Sequence, residues 1–310
     1  MSSLGTEWGI ARRVLGREVL RPIATLNART APAGGALAKT VKEKANGLRG
    51  ISGLRSITLL VHGYNVNKRW ADVAYSKFAM GQAADQLRDL VWVYWPGDAT
   101  KSKWTSWAGY PFMLSRAQDS AALLANHLIS RGKARGRVAP IELRIFAHSL
   151  GCRVTLELIK KLMNSKTFKM TELVLMAAAV RIFHVMPNAR EEEDLRKALL
   201  WPDRAHIYHS YRDLVLAGAF RPGQWFDPPK SHTTRATRAA LGRCGLDPKH
   251  HKPGHTVQQE MKHRHGHYWS APNVAQKARG ILPSLTRKVN QRKKADGRTV
   301  LLRRVDPFGS

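Results

Sequence analysis

Ser149 is the residue around which chemistry can be organised in this chain. It stands in the run Ile145, Phe146, Ala147, His148, Ser149, Leu150, Gly151, where an apolar strand pattern meets a serine and then a helical one. A serine hydroxyl is a weak nucleophile and needs a base, usually a histidine held in one tautomer by a carboxylate. The run has the form of a G-x-S-x-G nucleophile elbow with Ala147 in the first glycine's place. Such a strand-to-helix turn lifts the serine Oγ clear of its own backbone. It also aims the next N–H, that of Leu150, at the position of a developing oxyanion. Small residues at Ala147 and Gly151 suit a turn in which strand and helix backbones come close. The chemistry expected of this arrangement is acyl transfer.

The other parts must arrive from elsewhere in the chain. Asp213 follows an expected strand in His209, Ser210, Tyr211, Arg212, Asp213, whereas the strand before it ends in Ala177 to Arg181 and offers no carboxylate before Glu191. Asp213 is therefore the acid candidate. Six histidines, 250, 251, 255, 263, 265 and 267, crowd one region. That density would suit a transition metal, but neither an HExxH spacing nor paired carboxylates accompany it, so no metal and no other cofactor is expected. His265 and His267 immediately precede an expected helix near 273–281, and on spacing alone either could be the base. A second oxyanion donor is expected from His62, Gly63, Tyr64, Asn65, where Gly63 lets the backbone turn and the Tyr64 N–H faces the charge. Two long connections carry aromatics, Trp95, Trp104, Trp107 and Phe112 in one and Trp225 in the other. They suit an apolar lid or substrate pocket, or equally packing beneath long loops.

These residues need a scaffold that brings distant segments to one edge. From residue 56 onward strand and helix patterns alternate, with strands expected at 57–61, 90–94, 141–147, 173–177 and 205–208. Helices are expected near 69–88, 115–131, 150–163 and 189–200. Val154, Leu158 and Leu162 give the third of these one apolar face. Alternation of this kind implies an α/β fold, a mainly parallel sheet flanked by helices, with ligands at the carboxyl ends of its strands.

The charge balance points outside that scaffold. Lys and Arg number 52 against 22 Asp and Glu, a formal net charge of +30, which favours anionic partners such as nucleic acid, anionic lipid or an acidic protein surface. Residues 1–50 read as a basic helical arm, interrupted by Pro22 and by a linker around Gly34 and Gly35. Residues 283–310 read as a basic tail, and residues 51–282 as the hydrolytic domain between them. Two cysteines, Cys152 and Cys244, make neither a disulfide framework nor a zinc-type spacing. No apolar stretch approaches the roughly 18–20 residues of a membrane span, and no signal peptide is evident. A cytoplasmic protein, not integral to a membrane and of undetermined oligomeric state, is the expectation.

The residues 61–65, the elbow 147–151, the loop 210–213 and the segment His265 to Trp269 together resemble a serine α/β-hydrolase, close to bacterial esterase- and lipase-like members with VHGYN and AHSLG motifs. The resemblance covers roughly residues 54–282. It implies the α/β-hydrolase fold, with a core beginning at what would be the third strand, as in cutinase-like minimal hydrolases. It aligns His265, through an H-x-x-Y-W pattern, with the catalytic base, His267 being the alternative. It implies a Ser149–Asp213–His265 triad cleaving a small-molecule or lipid ester through an acyl-enzyme. Thioesterase, amidase or acyltransferase chemistry could use the same triad. A hydrolase fold kept only as a basic binding scaffold is the rival from another class.

Overall fold

Continuous apolar runs mark strands buried on both faces, and four strands that are apolar throughout or toward their carboxyl ends build the centre of the sheet. In a computed structural model of the chain they are β3 (Ser56–Val61), β4 (Leu90–Tyr94), β5 (Ile141–His148) and β6 (Phe168–Met176). The structure describes residues 22–45, 51–98, 110–187, 194–220 and 239–282, apart from 83, 135, 137, 138, 219, 251 and 253. Strands β1 (Ala24–Arg29), β2 (Leu37–Ala45), β7 (Arg204–His209) and β8 (Thr256–Glu260) complete an eight-stranded sheet of order β2-β1-β4-β3-β5-β6-β7-β8. All neighbours are parallel except β1 and β2.

The N-terminal reading is corrected here. Residues 24–45 are not helical but form an antiparallel pair whose first strand hydrogen-bonds to β4. The core therefore does not begin at the third strand, and the sheet exceeds a minimal cutinase-like one. Ala, Lys and Glu in β2 are good helix formers, but long-range pairing overrides weak local preference. Residues 1–21 and 46–50 of the expected arm, and the tail 283–310, lie outside the described residues.

The helices follow the expected segments in part: the first ends at Met80 rather than 88, the fourth is described only from Arg196, and 214–218 and 241–244 are additional. They are α1 (Lys68–Met80), α2 (Tyr110–Lys133), α3 (Gly151–Leu162), α4 (Arg196–Leu200), α5 (Leu214–Gly218), α6 (Leu241–Cys244) and α7 (Pro272–Ile281). Helix α3 is more deeply enclosed than its apolar face suggests, because even Arg153 and Glu157 are buried. They tolerate this by pairing across one turn at 2.7 Å, with Gln118 of α2 also donating to Glu157, as buried charges must. Glu43 of β2 is tied to α2 in a similar way. Its carboxylate meets His127 Nε2 and Arg131 Nε, each at 3.0 Å, and the His127 hydrogen bond leads in holding it below the usual carboxylate range.

No helix among the described residues is long and apolar enough to cross a membrane. The sheet thus presents β3, β5, β7 and β8 with their carboxyl ends along one edge, which is where the chemistry gathers.

Candidate active site

Ser149 occupies the turn between β5 and α3 with φ of +54°, a left-handed conformation that costs a non-glycine residue free energy and persists only where surroundings enforce it. The enforcement is visible. Ser149 N–H donates to Met176 O at 2.9 Å, and its carbonyl accepts from Ala179 N and Cys152 N, which ties the elbow to the end of β6.

Two glycines let the neighbouring strand close over it. A Cβ on Gly151 would stand 2.2 Å from His62 O and 2.8 Å from Val61 O. One on Gly63 would stand 2.7 Å from Ser149 Cβ. The loop after β3 therefore lies directly against Ser149. Ala147 is fully buried beside it.

Asp213 follows β7 and has no exposed surface. One carboxylate oxygen accepts from Leu216 N–H at 3.0 Å and caps α5, while the other meets His265 Nδ1 at 2.7 Å. Asp213 thus serves as helix cap and as partner of a histidine at once. A carboxylate only accepts, so Nδ1 carries the proton and Nε2 presents its lone pair. That Nε2 is 2.8 Å from Ser149 Oγ. Segments separated by 52 and 116 residues meet in one hydrogen-bonded line.

His267, the alternative, is exposed, and its N–H donates to Arg264 O; it touches neither Ser149 nor Asp213. Of the other clustered histidines, His255 Nε2 meets Pro202 O at 2.7 Å and His263 Nε2 meets Asn273 Oδ1 at 3.2 Å, while His251 lies outside the described residues. Among the described residues no group of three or more His, Cys, Asp or Glu could hold a metal ion.

The loop after β3 is braced from beneath by groups that motif spacing does not reveal. Tyr75 Oη accepts the His62 N–H at 2.8 Å and donates to Val93 O at 2.7 Å. Trp95 Nε1–H donates to His62 O at 2.8 Å, and its ring stacks on His62 at 5.7 Å. Trp95 is fully buried; it supports the loop and does not line a substrate pocket, which corrects that expectation. Burial pushes the His62 imidazole down to about 4, so it stays neutral. Asn65 N–H donates to Gly97 O at 2.7 Å, fixing the next turn of the loop. Tyr64 is half-buried, and burial pushes its phenol up to about 12. Leu150 is fully buried at the start of α3, where helix geometry supplies its N–H with no acceptor. Trp104, Trp107 and Trp225 lie outside the described residues, as does the side chain of Phe112.

His265 opens a 3-10 turn, His265–Ser270, that is anchored by two aromatics. Trp269 meets Tyr75 and Phe78 of α1 edge-on at 5.3 and 5.9 Å, and Tyr268 is fully buried. A cavity of about 580 Å³ bordered by Lys133, Lys161 and Lys166 lies by Ile141, at the opposite end of β5. It contains none of these groups.

Three solved esterases are similar to the chain at low identity. Esterase B from Lactobacillus rhamnosis matches with 11% identity, 95% of each chain covered and a TM-score of 0.43. A structure from work on two fungal esterases of Rhizomucor miehei matches at 11% identity, 88% of each chain and 0.43. The hyperthermophilic esterase from the archaeon Pyrobaculum calidifontis matches at 13%, with 89% of this chain and 86% of that one covered, and 0.42. No curated protein matches the chain by sequence. A family model described as an alpha/beta hydrolase of unknown function matches residues 45–220, a span that holds Gly63, Ser149 and Asp213 and stops before His265. That match takes in more than half of the chain, which therefore belongs to this α/β-hydrolase family, DUF900.

Proposed function

We propose that this hydrolase cleaves a carboxylic ester through an acyl-enzyme on Ser149. The observation that carries the reading is the line Asp213–His265–Ser149, with contacts of 2.7 and 2.8 Å. Ser149 Oγ attacks the carbonyl carbon while its proton passes to His265 Nε2. Asp213 keeps the ring in the Nδ1–H tautomer and stabilises the imidazolium. The backbone N–H groups of Leu150 and Tyr64 hold the tetrahedral oxygen. Collapse breaks the bond to the leaving alcohol, which takes the proton from His265. Water then attacks the acyl carbon, giving its proton to the same Nε2; collapse breaks the acyl–Oγ bond, Nε2 returns the proton to Ser149 Oγ, and the carboxylic acid leaves.

The test is Ser149→Ala against wild type, with short aryl esters and a fluorophosphonate probe. Turnover should fall by on the order of 10⁶-fold, labelling should vanish, and the thermal melt should stay unchanged. Equal labelling of the two proteins refutes the reading. A matched series of esters, thioesters and amides then assigns the acyl donor, since fold and triad are common to all three reactions.

A further inference from the structure

His148 is the unassigned residue of the elbow. It ends β5, directly before the serine, and only 6% of it is exposed. Its Nε2 lies 2.6 Å from the backbone carbonyl oxygen of His265. A carbonyl only accepts, so this Nε2 carries the proton and donates it. The His148 ring also packs on the His265 ring at 4.9 Å and beside Tyr268 and Trp269 at 6.0 and 6.2 Å. On its other side stands Gly63, where an added Cβ would come within 3.2 Å of His148 Nδ1. The ring is thus walled in between the loop after β3 and the loop that carries His265.

That second loop needs a fixing point. His265 lies five residues beyond the end of β8, between exposed Arg264 and Gly266. Asp213 and Ser149 hold the two nitrogens of its ring, whereas the His148 contact is made to its backbone carbonyl. Serine and His148 are joined by one peptide bond, so contacts from both seat His265 on the elbow at two points.

We propose that His148 is a positioning residue of the triad, its Nε2–H holding the His265 backbone so that His265 Nε2 stays in line with Ser149 Oγ. The proposal rests on the reading of Ser149, His265 and Asp213 as a catalytic triad. It also requires that His148 carry no charge beside an imidazolium formed 4.9 Å away. Burial first, and the neighbouring His265 second, push the His148 imidazole down to about 3, which meets that requirement.

The experiment compares wild type, His148→Phe and His148→Gln in the full chain. Phenylalanine keeps the ring and loses the donor; glutamine keeps an N–H donor on a side chain of similar reach. Misplacing a reacting group by about 1 Å costs roughly 10²-fold. The expected result for His148→Phe is kcat lowered by about 10–100-fold with KM within two-fold, and for His148→Gln recovery to within about five-fold of wild type. Wild-type kcat in His148→Phe overturns the proposal, and so does equal loss in both variants, which would mark packing alone. Should His148→Phe fail to fold by thermal melt, His148→Gln decides: near-wild-type kcat supports the proposal and a large loss overturns it. Failure of wild type itself to turn over esters or take the fluorophosphonate overturns the triad reading, a result distinct from an active wild type with indifferent variants.

Discussion

Gly151→Ala is the sharpest single probe of the elbow. The added methyl would lie 2.2 Å from His62 O, 2.8 Å from Val61 O and 2.9 Å from His62 C, about 1 Å inside ordinary contact for the closest pair. None of these obstacles is a flexible side-chain end. The His62 peptide is held at its N–H by Tyr75 and at its oxygen by Trp95, and Val61 pairs with Ala147 across the sheet. The strain is therefore relieved by driving α3 away from the end of β3. Overpacking of this kind costs roughly 1–3 kcal/mol, or a fall in Tm of about 3–10 °C for a domain of this size. The same displacement moves Ser149 and Leu150 relative to Tyr64 and His265, so the rate of acyl transfer should drop about 10²-fold. Gly280→Ala, in α7 with open space where its Cβ would stand, is the control and should be neutral or stabilising by up to about 1 kcal/mol. Melts by circular dichroism and the rate of fluorophosphonate labelling read both effects. A Gly151→Ala protein with wild-type Tm and labelling rate refutes the close-approach reasoning.

Two further outcomes follow from buried ionisable groups. Burial holds the imidazoles of His62 and His148 down to about 4 and about 3 from an ordinary value near 6.5, so between those values the unfolded chain binds protons that the folded one refuses. Stability is complete above pH about 6.5 and falls as pH drops, by up to about 3 kcal/mol through His62 and about 5 through His148 at about 1.4 kcal/mol per unit. Melts should show Tm declining from pH 6.5, before carboxylates titrate; a flat Tm down to pH 4.5 contradicts this. Asp98→Ala removes the partner of Arg29, whose Nη2 reaches both Asp98 oxygens at 2.6 and 2.7 Å with its side chain fully buried. An uncompensated buried guanidinium should cost about 3–5 kcal/mol in chemical denaturation, and a loss under 1 kcal/mol would show that water reaches it.

How much of this site could be read in advance depended on how local each signal was. The elbow was readable because its requirements lie within a few residues: an apolar strand, a serine in a sharp turn, and small neighbours at Ala147 and Gly151. Gly63 and Asp213 were readable at one remove, since each follows a strand whose carboxyl end the fold sends to the same edge. His265 and His267 were not separable by spacing. They sit two residues apart in a segment without periodicity, and only the path of the turn decides that one meets Asp213 while the other faces solvent. Strand β8, Thr-Val-Gln-Gln-Glu, shows no apolar alternation because it is an edge strand with little buried surface. Residues 37–45 read as helical because Ala, Lys and Glu favour a helix, and they became a strand because β1, itself paired with β4, offered a free edge.

His148, Tyr75 and Trp95 mark the same boundary from within the site. His148 and Tyr75 looked like ordinary strand and helix residues in one dimension, and Trp95 like one aromatic among several in a long connection. Each acts on a backbone or ring that reaches it from elsewhere in the chain, His148 on a carbonyl 117 residues away, Tyr75 and Trp95 on the peptide of His62. Turn chemistry and periodicity, which are steric preferences among near neighbours, were enough to name the fold and to bring Ser149 and Asp213 forward as candidates. Which histidine completes the line, and what holds it there, depends on contacts between distant segments that exist only once the sheet has assembled and packing has chosen their positions.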